Sequence, residues 1–337
     1  MIELLQKLLR GENLSFDEAR EMILWIMSEE AVPVKAAALL ALLQAKGTIP
    51  DEMAGAASAM RERAMKIRAP ENVIDTCSTG GNGISTFNIS TCAAIIAGAA
   101  GAVVAKHGNR SNTRKSGSAE VLEMLGVNIG MGVEGVQQCL DELGLCFCYA
   151  VNHHPAMRFA GPIRRELGVP TVFNLLGPLT NPAGAKRQLI GVPNQALTRT
   201  IAEVLKRLGS KQVLVVHGED GLCELTMSGT TFVAELRDGE IREYTVTPEE
   251  LGLERGDLDA IRITEAEESA ATIRGILAGT KQGPARTIAL MNTAGALVVS
   301  GVVDDLKTGV TLATEAIDSG NAQTKLDALV EFTQQAA

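Results

Sequence analysis

The sequence predicts an α/β protein in two parts: a small helical domain, then a larger α/β domain with a mostly parallel central sheet flanked by helices. Residues 1 to about 68 carry apolar residues three and four apart, as in Leu4, Leu5, Leu8 and Leu9, the spacing of one helix face. From Val73 onward, short β-rich runs alternate with helical stretches, the grammar of parallel βαβ units. Gly and Ala are abundant while aromatics reach only 3%, a composition suited to close helix packing.

Each element has a local reason. Ser15 and Glu18 form a capping box ahead of a helix over 19–27, and Pro33 and Pro50 stand where further helices would begin. The turn Arg68-Ala69-Pro70 closes the helical unit. A strand is expected near 73–77, a helix near 88–100, a strand near 102–106 and a helix near 117–125. Strands are expected again at 145–149 and 212–217, with a helix over 197–208 between them. Thr247-Pro248-Glu249-Glu250 reads as another helix start. The stretch 160–184, rich in Gly, Pro and Asn, reads as a crossing or hinge.

A chain of 337 residues suits one large domain or two ordinary ones, and two is the expectation here. The net charge of −9 argues against a nucleic-acid partner, since counterion-release binding needs a broad basic surface. The six cysteines lie mostly inside apolar runs without paired CxxC spacing, which fits free thiols in a reducing cytoplasm better than a zinc site. No signal peptide is expected, because charged residues appear by Glu3 and Lys7. The longest apolar run, 92–105, has 14 residues, short of the roughly 18 that read as a membrane span.

Two loops carry the chemistry. Ser78-Thr79-Gly80-Gly81-Asn82-Gly83 is followed by Thr86-Phe87-Asn88-Ile89-Ser90-Thr91. Glycines before a helix start offer backbone N–H groups and the positive dipole end to a phosphate, although glycine clusters also build ordinary turns. Ser90 or Thr91 taken singly reads as a helix cap. The second loop runs from Lys106 and His107 through Asn109, Arg110, Ser111, Arg114 and Lys115 to Ser118. It follows a buried strand, so its side chains would emerge at a carboxyl end where ligands gather in parallel sheets, and four basic residues favour phosphate contact.

Further along, Asn152-His153-His154-Pro155 offers two adjacent histidines without a third metal ligand, so His154 reads as a hydrogen-bonding pocket residue. Arg164-Arg165-Glu166 sits on a helix expected just after Pro162. One Arg could clamp a carboxylate, but the residues alone favour a surface pair with Glu166.

FNIST, KHGNRS, KSGSAEVLE, HHPAM, RRELG, FNLLGPLTNPA and VVHGEDGL, in this order, resemble the anthranilate phosphoribosyltransferases of tryptophan biosynthesis over nearly the full length. The resemblance implies a helical domain of 1–68 joined by 160–184, an α/β domain of 69–159 and 185–337, and a homodimer through the helical domain. It implies phosphoribosyl pyrophosphate on Ser78, Gly80, Gly81, Asn82, Thr86, Asn88, Ile89, Ser90, Thr91, Lys106, Arg110, Ser111, Arg114, Lys115 and Ser118. Anthranilate falls to Ser78, His107, Asn109, His154, Arg164 and Pro178, with Lys106, Asn109 and Arg164 at the chemical step. For Arg164 this replaces the surface pair by a carboxylate clamp.

The family's magnesium ligands map to Ser90 and to the pair Cys223 and Glu224. Two positions depart from the family pattern: Asn82 stands where GTGGDG has Asp, and Cys223 where GLDE has Asp. A thiol is a poor ligand for a hard cation. These departures keep open a non-catalytic homologue that binds the same ligands. Ser78, in place of the usual Gly, points slightly toward a pyrimidine nucleoside phosphorylase of related fold.

Overall fold

The computed structural model describes residues 1–110 and 117–335. The chain opens with four helices, α1 (Ile2–Leu9), α2 (Phe16–Ile26), α3 (Pro33–Lys46) and α4 (Pro50–Arg63). The expected capping box forms at α2, with Ser15 Oγ accepting from Glu18 N and the Glu18 carboxylate accepting from Ser15 N. Pro33 and Pro50 each occupy a first helical position, where the missing N–H is no loss. α2 and α4 approach so closely that a Cβ on Gly55 would lie 2.2 Å from the carbonyl oxygen of Phe16. Buried Glu52 ties the unit together by accepting from the backbone N–H groups of Leu14 and Ile49 and from Lys46 Nζ.

Seven strands follow: β1 (Ile74–Ser78), β2 (Val104–Gly108), β3 (Leu145–Tyr149), β4 (Arg187–Gly191), β5 (Gln212–Gly218), β6 (Thr231–Arg237) and β7 (Glu240–Val246). Their order is β3-β2-β1-β4-β5-β6-β7. The first five run parallel and the last two add antiparallel pairs at one edge. The Asp238-Gly239 turn between β6 and β7 uses positive φ at both residues, 52° and 77°, which matches the twist of a tight hairpin.

The sheet separates two cores by strand alternation. Leu214 and Val216 of β5 face one cluster, with Phe87 and most of the helix Pro284–Ser300; Val213 and Val215 face the other, with α1 to α4. β4, β6 and β7 went unread in the sequence, and β2 lies two residues later than expected. The segment 247–250 forms only a 3-10 turn at Glu249–Leu251, stopped by Gly252 at φ 76°. Much of 160–184 is helical: Met157–Leu167 packs on α3 with Pro162 inside it, and Phe173–Leu176 packs on α4. No helix among the described residues is long and apolar enough to cross a membrane.

What matters for function is the middle of the sheet. β1 has β2 on one side and β4 on the other, so the strand order reverses there. A crevice opens beyond the carboxyl ends at such a reversal.

Candidate active site

The glycine loop leaves β1 at that reversal. Ser78 ends β1 in register with Gly191, and Thr79 N donates to the Gly191 carbonyl. Gly80, Gly81 and Gly83 have φ of 67°, 86° and 71°, a region where side chains bring strain, so the glycines are required by the bend itself. The bend delivers the chain to α5 (Ile89–Ala99). Its cap is Asn88, whose Oδ1 accepts from Thr91 N at 3.0 Å. The capping reading of Ser90 or Thr91 is therefore corrected: both lie within the first turn. Ile89 is packed in the core, which leaves only its backbone to meet a ligand, and Thr86 is buried beside Arg262 in an isolated bridge.

Lys106 does not emerge from its strand into solvent, as its place in a basic loop suggested. It lies within β2, buried, and Nζ donates to the Thr76 carbonyl at 2.6 Å and to Ser90 Oγ at 3.1 Å. Burial pulls its ammonium below the usual range, while the nearby Asp75 carboxylate opposes that shift. Asp75 is wholly buried in β1, and its Oδ1 accepts from the backbone N–H of His107 at 3.0 Å. Burial raises its carboxyl, with Lys106 acting the other way. The ammonium is thus fixed against Ser90 in the first turn of α5, and a helix start is a favourable place for an anion.

Thr76, Ser90, Gly191, Cys223 and Glu224 line one small cavity. The loop bearing Cys223 crosses β4 so tightly that a Cβ on Gly191 would sit 1.6 Å from the Cys223 carbonyl oxygen. Asp220 does not replace the missing acid at 223. Its Oδ2 accepts from Thr226 Oγ1 at 2.6 Å and from Ser228 Oγ, and its Oδ1 accepts from Leu222 N. Among the described residues, no three His, Cys, Asp or Glu side chains form a metal-holding group. Ser90 and Glu224 both line this cavity, and a hydroxyl and a carboxylate are the oxygen donors that magnesium takes. Cys223 does not fit that role, since sulfur suits softer ions.

His107, next to Lys106 on β2, points to the opposite face of the sheet. His107 Nδ1 donates to the Gly177 carbonyl at 3.2 Å, and the Nε2 atoms of His107 and His154 are 3.2 Å apart. Each ring also bonds a backbone group, His107 at Gly177 and His154 at Thr180. Burial pushes both imidazoles down, His107 to about 3 and His154 to about 4. His153 faces elsewhere and donates from Nδ1 to the Met65 carbonyl at 2.7 Å. Pro178 is buried in the 3-10 turn Gly177–Leu179. Arg164 is half-buried with its guanidinium 5.1 Å over the Phe173 ring. No carboxylate pairs with it among the described residues, so the surface pair with Glu166 does not form.

Other expected residues sit less directly. Asn109 is exposed, its Oδ1 accepting from Arg110 N, and Ser118 Oγ donates to the Asn109 carbonyl. Arg110 pairs with Glu123 at 2.7 Å, so its charge already has a partner. Ser111, Arg114 and Lys115 lie outside the described residues. Asp75 and Gln188, both fully buried, were not among the residues expected from the sequence, and neither strand sets them apart, since β1 also carries Thr76 and Ser78 and β4 also carries Arg187.

The chain has close counterparts among known proteins over nearly its whole length. Residues 2–64 match the helical bundle domain of a glycosyl transferase family, and residues 70–323 match its a/b domain. The anthranilate phosphoribosyltransferase of Nitrosomonas europaea is 46% identical over 334 residues, 98% of each chain. The chain belongs to the anthranilate phosphoribosyltransferase family. The enzyme of that name from Rhodopseudomonas palustris strain BisB5 is 47% identical over 98% of this chain and 97% of its own. The crystal structure of the family member from Thermus thermophilus superposes with a TM-score of 0.93 at 42% identity, covering 98% of this chain and 99% of that one. An anthranilate phosphoribosyltransferase from Saccharomyces cerevisiae, in complex with PRPP and Mg, gives 0.90 at 28% identity over 99% and 98%.

Proposed function

We propose that this protein transfers the phosphoribosyl group from phosphoribosyl pyrophosphate to the amine of anthranilate, releasing pyrophosphate, as a step of tryptophan biosynthesis. The observation that carries the reading is the placement of the candidate side chains. Lys106 and Ser90 meet at the start of α5, the helix that the glycine loop leads into, while His107, next along β2, meets His154, and Arg164 rests on Phe173 with no carboxylate partner among the described residues.

Each side chain has a task that follows from its chemistry. The glycine-loop and α5 backbone N–H groups bind the phosphates, and Lys106 offsets charge growing on the departing pyrophosphate. Arg164 holds the anthranilate carboxylate with its planar fork. Asn109 orients the amine, and Pro178 with the histidine pair bounds the ring. An aromatic amine is already neutral at pH 7, so no side chain must deprotonate it before attack, and catalysis is chiefly positioning. Ser90 and Glu224 would hold a magnesium ion, which supplies Lewis-acid neutralisation of phosphate charge when bound.

The helical domain of 1–68 with 160–184 would close on the α/β domain and bring the two substrates together. A homodimer through this helical domain is supported by its exposed apolar residues, including Ile2 at 60%, Leu9 at 63% and Val34 at 80% exposure. Six free thiols support a reducing, cytoplasmic setting.

The test is the loss of anthranilate fluorescence on adding phosphoribosyl pyrophosphate across a magnesium titration. Turnover supports the enzyme. Measurable binding of both substrates without turnover at any magnesium concentration would leave a ligand-binding homologue, the reading that Asn82 and Cys223 favour.

A further inference from the structure

We infer that Gln188 and Arg61 are positioning residues that fix the wall which Pro178 presents to the aromatic acid. The inference rests on the proposed placement of anthranilate against Pro178.

Gly177–Leu179 is a single 3-10 turn without a side-chain cap, closed on itself at the Gly177 carbonyl, which accepts from Thr180 N at 3.2 Å and Thr180 Oγ1 at 3.0 Å. Its three successive carbonyls are each taken by a side chain from a different element. The Gly177 carbonyl accepts from His107 Nδ1 of β2 at 3.2 Å, the Pro178 carbonyl from Gln188 Nε2 of β4 at 2.7 Å, and the Leu179 carbonyl from Arg61 Nε of α4 at 2.6 Å. Just beyond, Asn181 Nδ2 donates to the Ala105 carbonyl at 2.7 Å. The turn is therefore referenced to two sheet strands and to a helix of the amino-terminal unit.

Gln188 and Arg61 are both placed at a disadvantage that their contact with the turn explains. Gln188 is fully buried, and its Oε1 has no hydrogen-bond partner among the described residues. Buried polar atoms are rarely left unpaired, and an apolar residue of the same size would remove the orphan. What the amide contributes here is its donor, and that donor goes to Pro178. Desolvation pulls the Arg61 guanidinium down to about 10, and among the described residues no carboxylate pairs with it. Its near contact is the Leu179 carbonyl, with a longer one of 3.5 Å to the Leu208 carbonyl.

Neither side chain contacts the glycine loop or the Ser90 cavity, so removing its donor should affect one substrate. Gln188→Met and Arg61→Met keep bulk and remove the donor; Arg61→Lys retains one. Steady-state kinetics would vary anthranilate and phosphoribosyl pyrophosphate in turn, beside fluorescence titration of anthranilate and thermal unfolding. In Gln188→Met and Arg61→Met, the KM for anthranilate is expected to rise about tenfold, with that for phosphoribosyl pyrophosphate changed by less than about twofold. Arg61→Lys is expected to recover part of the loss, and it remains informative should Arg61→Met fail to fold. Equal rises in both KM values, or folded variants with unchanged anthranilate KM, would overturn the inference while the wild-type activity stands. A wild-type protein that neither binds nor converts anthranilate would remove the proposed function, and this inference with it.

Discussion

The side-chain amide of Asn82 donates to the carbonyl oxygen of Gly221 at 3.0 Å. This one bond joins the glycine loop after β1 to the loop that carries Cys223 and Glu224, and Asn82 Oδ1 receives Ile84 N at 3.4 Å on its other side. Gly221 has φ 88° and lies against Ile84, where an added Cβ would come within 3.2 Å. Asn82 thus does in this chain what a carboxylate could not, because a carboxylate has no N–H to donate.

Asn82→Asp is therefore expected to loosen the two loops, although it restores the family's residue. The lost hydrogen bond and the repulsion between a carboxylate and the Gly221 carbonyl should lower stability by about 1 kcal/mol. A thermal or urea unfolding series measures this. An unchanged midpoint would mean that the Asn82 contact contributes nothing.

Cys223→Asp acts on a different property. Cys223 shares a cavity with Ser90 and Glu224, and an added carboxylate gives a hard cation a second oxygen donor there. The magnesium concentration for half-maximal rate is expected to fall. Should it stay the same, position 223 does not face the metal.

Arg164→Ala removes the proposed carboxylate clamp. With no protein carboxylate paired to it among the described residues, the guanidinium is free for a ligand while it rests on Phe173. The KM for anthranilate is expected to rise by about tenfold to a hundredfold, with little change for phosphoribosyl pyrophosphate. Arg164→Lys should recover only part of this, since an ammonium lacks the planar fork. Substrate-varied initial rates check both variants.

The histidine pair predicts a pH dependence of stability. His107 and His154 are held neutral, near 3 and 4, whereas an unfolded histidine protonates near 6.5. Between about pH 6.5 and 4 the unfolded chain therefore binds more protons than the folded one, and stability falls as the solution is acidified. Each histidine adds at most about 1.4 kcal/mol per pH unit to that slope. Urea midpoints measured from pH 7.5 to 4.5 should show the decline, and His154→Gln should flatten it. Equal slopes for wild type and variant would mean that the imidazole titrates normally in the fold.

Much was legible because it depends on neighbours along the chain. The capping box at Ser15 and Glu18, the proline starts at Pro33 and Pro50 and the glycine bend at Gly80 to Gly83 are local chemistry. β4, which opens on the polar pair Arg187 and Gln188, and the hairpin of β6 and β7, whose outer strand carries Glu240, Arg242 and Glu243, lack an apolar run that marks them locally, and Pro162 misled because tertiary packing accepts it inside a helix.

By itself the sequence determined the helical unit, the parallel βαβ order, the candidate ligand residues and the two departures at 82 and 223. Tertiary structure alone decided the partners. It buried Lys106 against Ser90, turned Arg110 to Glu123, committed Asp220 to Thr226 and Ser228, and set His107 against His154. Residue type fixes what a side chain can donate, accept or charge; packing fixes which groups are near enough, and dry enough, for that capacity to be used.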